Sequence, residues 1–197
     1  MVELKDLMEL ARRIKDKDLR KKVVEIIKHP SLSNNNLKVS PLKFEESPAS
    51  VSWHHIEKGG LLKHTYAVTM MCISVSEQLE RVYGFEIDKD SLIAAALVHD
   101  IGKLWTMKKS KAGWEPSEIL LDHTMLGTSE LYARGFPEKV LHIVASHFGE
   151  NGPTPPQTIE AYIFHVIDSL DANLNSIPQD NVLNIILGQH VDREDNR

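Results

Sequence analysis

An all-α domain is the architecture that the sequence predicts, on three observations. Apolar residues recur at helical spacing in segment after segment, and no stretch alternates apolar and polar residues for long enough to make a strand. Leu92 to Val98 is apolar nearly all round and rich in alanine, which is the pattern of a helix buried on most sides. At 197 residues, 42% hydrophobic and 26% charged, the chain suits one domain able to bury a sizeable core. We read 1–197 as a single unit. Residues 1–50 form amino-terminal helices and a loop, 51–175 carry the chemistry, and 176–197 make a closing helix and tail.

Residues 3–15 place Leu4, Leu7, Met8, Ala11 and Ile14 on one helical face, and Asp18 is a candidate start for a second helix burying Leu19, Val23, Ile26 and Ile27. Pro30 stops it. The run Lys15, Lys17, Arg20, Lys21 and Lys22 could track a phosphate backbone but reads first as a solvated outer face. From Ser31 to Ser50, three asparagines in a row, Pro41 and Pro48 mark a loop, and one this long inside a compact domain is often functional. Gly59-Gly60 allows a tight approach ahead of a long helix whose inner stripe is expected to be His64, Ala67, Val68, Met71, Val75, Leu79 and Val82. Tyr83-Gly84 ends it, and Asp88 or Asp90 can cap the buried helix that leads to His99-Asp100.

Beyond Lys103, residues 105–118 read as a surface loop or short hairpin. Asp122 to Ala133 and Pro137 to His147 read as helices, the proline suiting a first helical position. Thr158 to Asn175 is a strong helix with Ala161, His165, Asp168 and Ala172 on one stripe, and a short apolar helix from Val182 to Leu187 closes the chain.

Charge and cysteine content narrow the function. The formal net charge of −5 gives no global attraction to a polyanion, so a nucleic acid would be held by a local basic patch or by bound cations. A single cysteine, Cys72, cannot form an internal disulfide, and with no signal peptide or long apolar segment a cytoplasmic location is expected, with no membrane partner. There is no Walker, Rossmann or CxxC pattern.

Ten histidines are the outstanding feature, and His64, His99, Asp100, His123, His147 and Asp168 each fall at a helix end or on an inward stripe. Four imidazoles and two carboxylates suit first-row metals, and exceed what one tetrahedral ion needs, so two ions fit better than one. The cofactor expected is therefore one or two divalent transition-metal ions: Mn, Fe, Co, Ni or Zn. Lys103, just past Gly102, sets a cation where a phosphate oxygen could lie. His142, His165, Asp171, His29 and His190 read as supporting, capping or solvent groups.

The pattern His64, His99-Asp100-Ile-Gly-Lys103, His123, His147, Asp168 resembles the HD-domain metal-dependent phosphohydrolases, an all-helical superfamily, over most of the chain. Trp53-His54-His55, Gly59-Gly-Leu-Leu-Lys-His-Thr65, Ala145-Ser-His-Phe-Gly149 and Phe164 to Ala172 are similar to the HD domain of YhaM-type 3′-5′ exoribonucleases. The resemblance implies a helical bundle with His64, His99, Asp100 and Asp168 as core metal ligands. It also implies His123 and His147 as ligands of a second metal, and Lys103 as a phosphate contact. Phe148 stands where that group commonly has a second histidine, and the OB-fold that such enzymes carry for single-stranded RNA is not expected here.

The expected reaction is hydrolysis of a phosphate ester by metal-activated water, with a nucleotide or short single-stranded RNA as substrate. Asp100 would bridge the metals and Asp168 would orient the water. His54 or His55 would meet the substrate or protonate a leaving oxygen. The same ligands would also serve a di-iron oxygenase or redox sensor, or a nucleotide-sensing module, and self-association into a homo-oligomer is left open.

Overall fold

The computed structural model describes residues 2–177. Helices α1 (Leu4–Ala11), α2 (Lys17–Lys28), α3 (Gly60–Tyr83), α4 (Lys89–Val98) and α5 (Lys103–Thr106) are followed by strands β1 (Met107–Ser110) and β2 (Gly113–Pro116). Then come α6 (His123–Ala133), α7 (Glu138–Ala145) and α8 (Ile159–Ser176). The predicted all-α class holds, with one small exception. The stretch read as a surface loop or hairpin is an antiparallel pair in which Met107 faces Pro116 and Ser110 faces Gly113. The helix expected over 182–187, and His190, lie outside the described residues.

Helix α4 is the centre of the bundle. Asp88 caps it by accepting from the Ser91 amide at 3.1 Å, and every residue from Ser91 to Val98 is buried. It packs against α3, α7, α8, α1 and α2, which accounts for the absence of a polar face. Asp90, the other candidate cap, instead accepts from the backbone of Lys15 and Asp16 at 2.9 and 2.7 Å, tying the α1–α2 turn to α4. Helix α2 starts at Lys17, one residue before the expected Asp18, because Asp16 caps it by accepting from the amides of Asp18 and Leu19.

Helix α3 departs from its expected stripe. Its buried face is Leu61, His64, Thr65, Val68, Thr69, Cys72, Ile73 and Ser76, whereas Val75 and Val82 are 38% and 60% exposed. Small hydroxyl residues sit inside because they satisfy themselves on their own helix, Thr69 Oγ1 donating to the Thr65 carbonyl at 2.7 Å and Ser76 Oγ to that of Ile73 at 2.9 Å. An apolar-only count therefore puts the second half of the helix on the wrong face. The His64 end is correctly placed.

The long 31–50 segment is pinned at several points. Buried Glu130 of α6 accepts from Ser33 N and Oγ at 2.7 and 2.8 Å and pairs with Arg134, which reaches the Ser31 carbonyl. Leu42 N donates to Leu104 O, Leu61 N to Ser47 O, and Ala49 N to His55 O. These bonds tie the segment to α5 and to the start of α3, and close 49–55 on itself. Among the described residues, no helix is long and apolar enough to cross a membrane.

Candidate metal centre

Two glycines set the geometry of the site by what they lack. Gly60 opens α3, and a Cβ there would lie 1.9 Å from the His55 carbonyl oxygen. Only glycine lets the loop carrying His54 and His55 press against the helix that presents His64. His55 itself sits at φ 45°, a left-handed conformation uncommon for a side chain of its size, and the neighbouring Gly59 takes φ 76°. Gly102 has an ordinary helical φ of −59°, so its requirement is steric. A Cβ on Gly102 would stand 2.0 Å from the His123 carbonyl, at the start of α6. That contact brings His123 against the His99-Asp100 turn.

All six histidine and aspartate residues picked out by the sequence converge in two clusters, His64 with His99 and Asp168, and Asp100 with His123 and His147, and Asp100 also reaches the first through Oδ2. In the first, His64 Nε2 lies 3.0 Å from Asp168 Oδ1, 3.2 Å from His99 Nε2 and 3.5 Å from Asp100 Oδ2. His99 Nε2 is 3.2 Å from Asp100 Oδ2 and 3.5 Å from Asp168 Oδ1. In the second, Asp100 presents its other oxygen, Oδ1, to His123 Nε2 at 3.3 Å, and His147 joins them. His64, His99, Asp100 and His147 are all at most 3% exposed. A third grouping, His54, His55 and His64, shares His64 with the first cluster, and two of its rings are tied to Asp171.

The donor atoms fit divalent cations. His99 Nδ1–H donates to the Ala96 carbonyl at 3.0 Å and His147 Nδ1–H to that of Val144 at 2.8 Å, so each turns Nε2 towards the carboxylates. Imidazole lone pairs beside carboxylate oxygens need positive charge between them, from protons or from a metal. Ligands about 2.0–2.2 Å from one ion lie about 3 Å from each other, the spacing seen here. In the second cluster Asp100 Oδ1 and His123 Nε2 are buried with no hydrogen bond, although 3.3 Å apart, because neither is aligned to serve the other. Buried donors of this kind, unused by the protein, are the expected mark of a cation site.

The electrostatics divide along the same line. Burial pushes His64 down, but hydrogen bonds to Asp168 and Asp171 outweigh it and raise the imidazole to about 9. Burial lowers His147 to about 4, with too little carboxylate contact to restore it. Asp100 and Asp168 are held below the usual carboxylate range: burial opposes this, but the surrounding imidazoles, with Lys103 beside Asp100, prevail. Lys103 Nζ donates to Asp100 Oδ2 at 2.6 Å.

Supporting groups surround the two clusters. Asp171 Oδ2 takes both His64 Nδ1–H at 2.7 Å and His55 Nε2–H at 2.8 Å, and so orients the His64 ring. His55, read from sequence as a substrate contact, is 7% exposed and committed on that side to Asp171. His54 is buried too, its Nδ1 has no hydrogen-bond partner, and burial followed by the nearby Lys103 lowers it to about 3. His165 Nδ1–H donates to the His147 carbonyl at 2.8 Å, and His142 Nε2 accepts from the Gln157 amide at 3.0 Å. Phe164 packs edge-on beneath His99, with centroids 4.9 Å apart. Sequence reasoning left Phe164 and Trp53 without a role, though Trp53 adjoins the His54-His55 doublet and Phe164 lies one turn before Asp168.

A cleft of about 240 Å³ opens above Lys103, His54 and His123, walled by Trp53, Thr106, Met107, Pro116 and Phe148. The hairpin read as a surface feature supplies one side of it.

Comparison with known proteins decides the family: residues 61–173 match the HD domain. The chain belongs to the HD-domain family. This HD protein is 43% identical over 173 residues to the dihydroneopterin 2′,3′-cyclic phosphate phosphodiesterase of Methanocaldococcus jannaschii, a match covering 87% of the chain and 70% of that protein. It is 31% identical over 144 residues to the 3′-5′ exoribonuclease YhaM of Oceanobacillus iheyensis, covering 66% of the chain and 43% of that enzyme. Against YhaM of a Geobacillus species it is 29% identical over 196 residues, covering 89% and 58%. No solved structure matches. The HD protein is an enzyme, a metal-dependent phosphohydrolase, as the sequence pattern implied, and divalent metals are the cofactors of its family.

Proposed function

We propose that this HD enzyme hydrolyses a small phosphodiester, a 2′,3′-cyclic phosphate on the sugar or polyol attached to one heteroaromatic ring system, using divalent ions held by six side chains. His64, His99, Asp100 and Asp168 would hold one ion and His123, His147 and Asp100 a second, with residues 51–175 as the metal-binding core. The donor set suits Mn, Fe, Co, Ni or Zn. The observation that carries the substrate class is the cleft. Its volume of about 240 Å³ is below the roughly 300–1,000 Å³ of ordinary ligand pockets, and Lys103 lies on its floor. A ring and one phosphate suit that space better than a polymer. The 43% relative named for a cyclic phosphate substrate supports the same reading.

When bound, the ions supply acidified water and positive charge opposite the phosphate oxygens. The protein residues do the rest. Lys103, partly buried and paired with Asp100, is placed to take a phosphate oxygen. Asp168, held ionised, is placed to accept a hydrogen bond from the attacking water and so orient it. His54 is neutral near pH 7, so it acts as a hydrogen-bonding group on the substrate rather than as a proton donor. Asp171 and the left-handed His55 fix His64 in place.

The direct test supplies Mn-loaded protein with a nucleoside monophosphate, a 2′,3′-cyclic nucleotide, a dinucleotide and a 20-mer RNA, alongside Asp100→Ala. Turnover of the cyclic nucleotide, lost in Asp100→Ala, is the expected result. Turnover persisting in the variant would sink the reading, and strong preference for the 20-mer would favour an exoribonuclease instead.

A further inference from the structure

Trp53 and Phe148 are 40% and 41% exposed, yet both line the small cleft that holds Lys103, His54 and His123. Isolated exposed apolar residues are ordinary on a protein surface. These two are not isolated, because each is built onto the site. Trp53 stands edge-on to His54 with centroids 4.8 Å apart, and His54 in turn lies 5.0 Å from His64. Phe148 lies against His147 at 4.4 Å, with 41° between the rings, and edge-on to His123 at 5.4 Å. The Phe148 turn is itself fixed. Gly149, at φ 60°, has the His165 ring where a Cβ would be, 2.3 Å away, and His165 bonds the His147 carbonyl. Met107 and Pro116 of the hairpin complete an apolar wall. His54 and His123, which also line the cleft, each hold a buried ring nitrogen without a hydrogen-bond partner, Nδ1 and Nε2 respectively.

We infer that Trp53 and Phe148 form the platform for the planar heteroaromatic ring of the substrate and so determine specificity. This rests on the cyclic-phosphodiester reading and adds the part of the substrate remote from phosphorus. An aromatic ring binds a flat heterocycle by its face whatever the substituents, so purines and pterins are both accommodated.

The experiment compares wild type with Trp53→Ala, Phe148→Ala and the conservative Trp53→Phe and Phe148→Tyr. Substrates are guanosine 2′,3′-cyclic phosphate, neopterin 2′,3′-cyclic phosphate and ring-free glycerol 1,2-cyclic phosphate. For each alanine variant, the ratio of kcat/KM for ringed over ring-free substrate should fall about tenfold, mainly through KM, and the conservative variants should restore it. The two ringed substrates distinguish a purine from a pterin source. Separately, equilibrium dialysis of guanosine and neopterin against metal-free protein should show affinity falling about tenfold in the alanine variants. Equal losses on ringed and ring-free substrates, or nucleoside and pterin binding unaffected by either alanine, would overturn the platform. If wild type hydrolyses none of the three esters, the phosphodiesterase reading fails, and dialysis alone decides the platform.

Discussion

The two clusters share one aspartate and lie on neighbouring helices, yet they treat imidazole in opposite ways. His64 is raised to about 9 because two carboxylates bond to its two nitrogens, Asp168 on one side and Asp171 on the other. His147 is lowered to about 4 because its Nδ1 is bonded to a neutral carbonyl and burial meets little opposition. Without metal, the first cluster holds a proton at neutral pH. In the second, Asp100 Oδ1 and His123 Nε2 are left without hydrogen bonds. One half of the site has a substitute for a cation, and the other has unused donors. The two halves should therefore fill with different dependence on pH and respond separately to substitution.

Removing the shared aspartate breaks the comparison most severely. Asp100→Ala should abolish metal uptake by both clusters and all phosphodiesterase activity, since each carboxylate oxygen faces a different cluster. Elemental analysis and a turnover assay check it, and retention of one ion would show that Asp100 is not shared. Gly102→Ala should separate the halves. Its backbone angles suit alanine, so the effect comes from the Cβ, which displaces the His123 carbonyl and with it the start of α6. The expected outcome is loss of one ion and of at least about a hundredfold in activity, with the other ion retained. Loss of both ions in a folded protein would mean that the clusters do not fill independently.

Most of this site is legible in the sequence, for a reason that also explains the omissions. His99-Asp100 follows seven apolar residues on a helix that has no polar side, and polar groups at such an end are expensive unless they are used. Asp168 and His64 fall on stripes that helical periodicity projects inward. The fold class was legible for the same reason. What periodicity does not carry is contact between distant segments. It gives no sign that Asp171 serves His64 and His55 together, or that Gly102 is required by a carbonyl twenty-one residues away. Nor does it show that residues 107–116 wall the cleft. The misplaced stripe of α3 has a local cause: Thr69 and Ser76 hide their hydroxyls on their own backbone, so a polar residue reads as outward when it is inward.

Asp171→Ala tests the support of the first cluster without touching either set of ligands. His64 would lose the acceptor that fixes its ring, and His55 its partner. Loss of such a supporting carboxylate typically weakens metal binding about 10–100-fold. The first cluster should show that loss in calorimetric titration, while His123 and His147, which have no bond to Asp171, keep their affinity. Equal weakening of both would point to general loosening of α8.

The pH dependence sharpens the contrast with the smallest perturbation of all. In His147→Ala the first cluster is tested alone, and in His64→Ala the second. For the first, the proton on His64 must leave before a metal binds. The imidazole is raised above its ordinary value of 6.5 to about 9, so below that pH the proton competes, and above it there is none to displace. Apparent affinity should climb about tenfold per pH unit from 7 to 9 and level off beyond, with close to one proton released per ion at pH 7 from this residue. In the second cluster His147, lowered to about 4, is already unprotonated throughout that range and contributes no slope. Calorimetry in buffers of differing ionisation enthalpy counts the protons directly. Parallel slopes in the two variants would mean that the Asp168 and Asp171 bonds do not hold His64 charged, and the distinction between the clusters would fall.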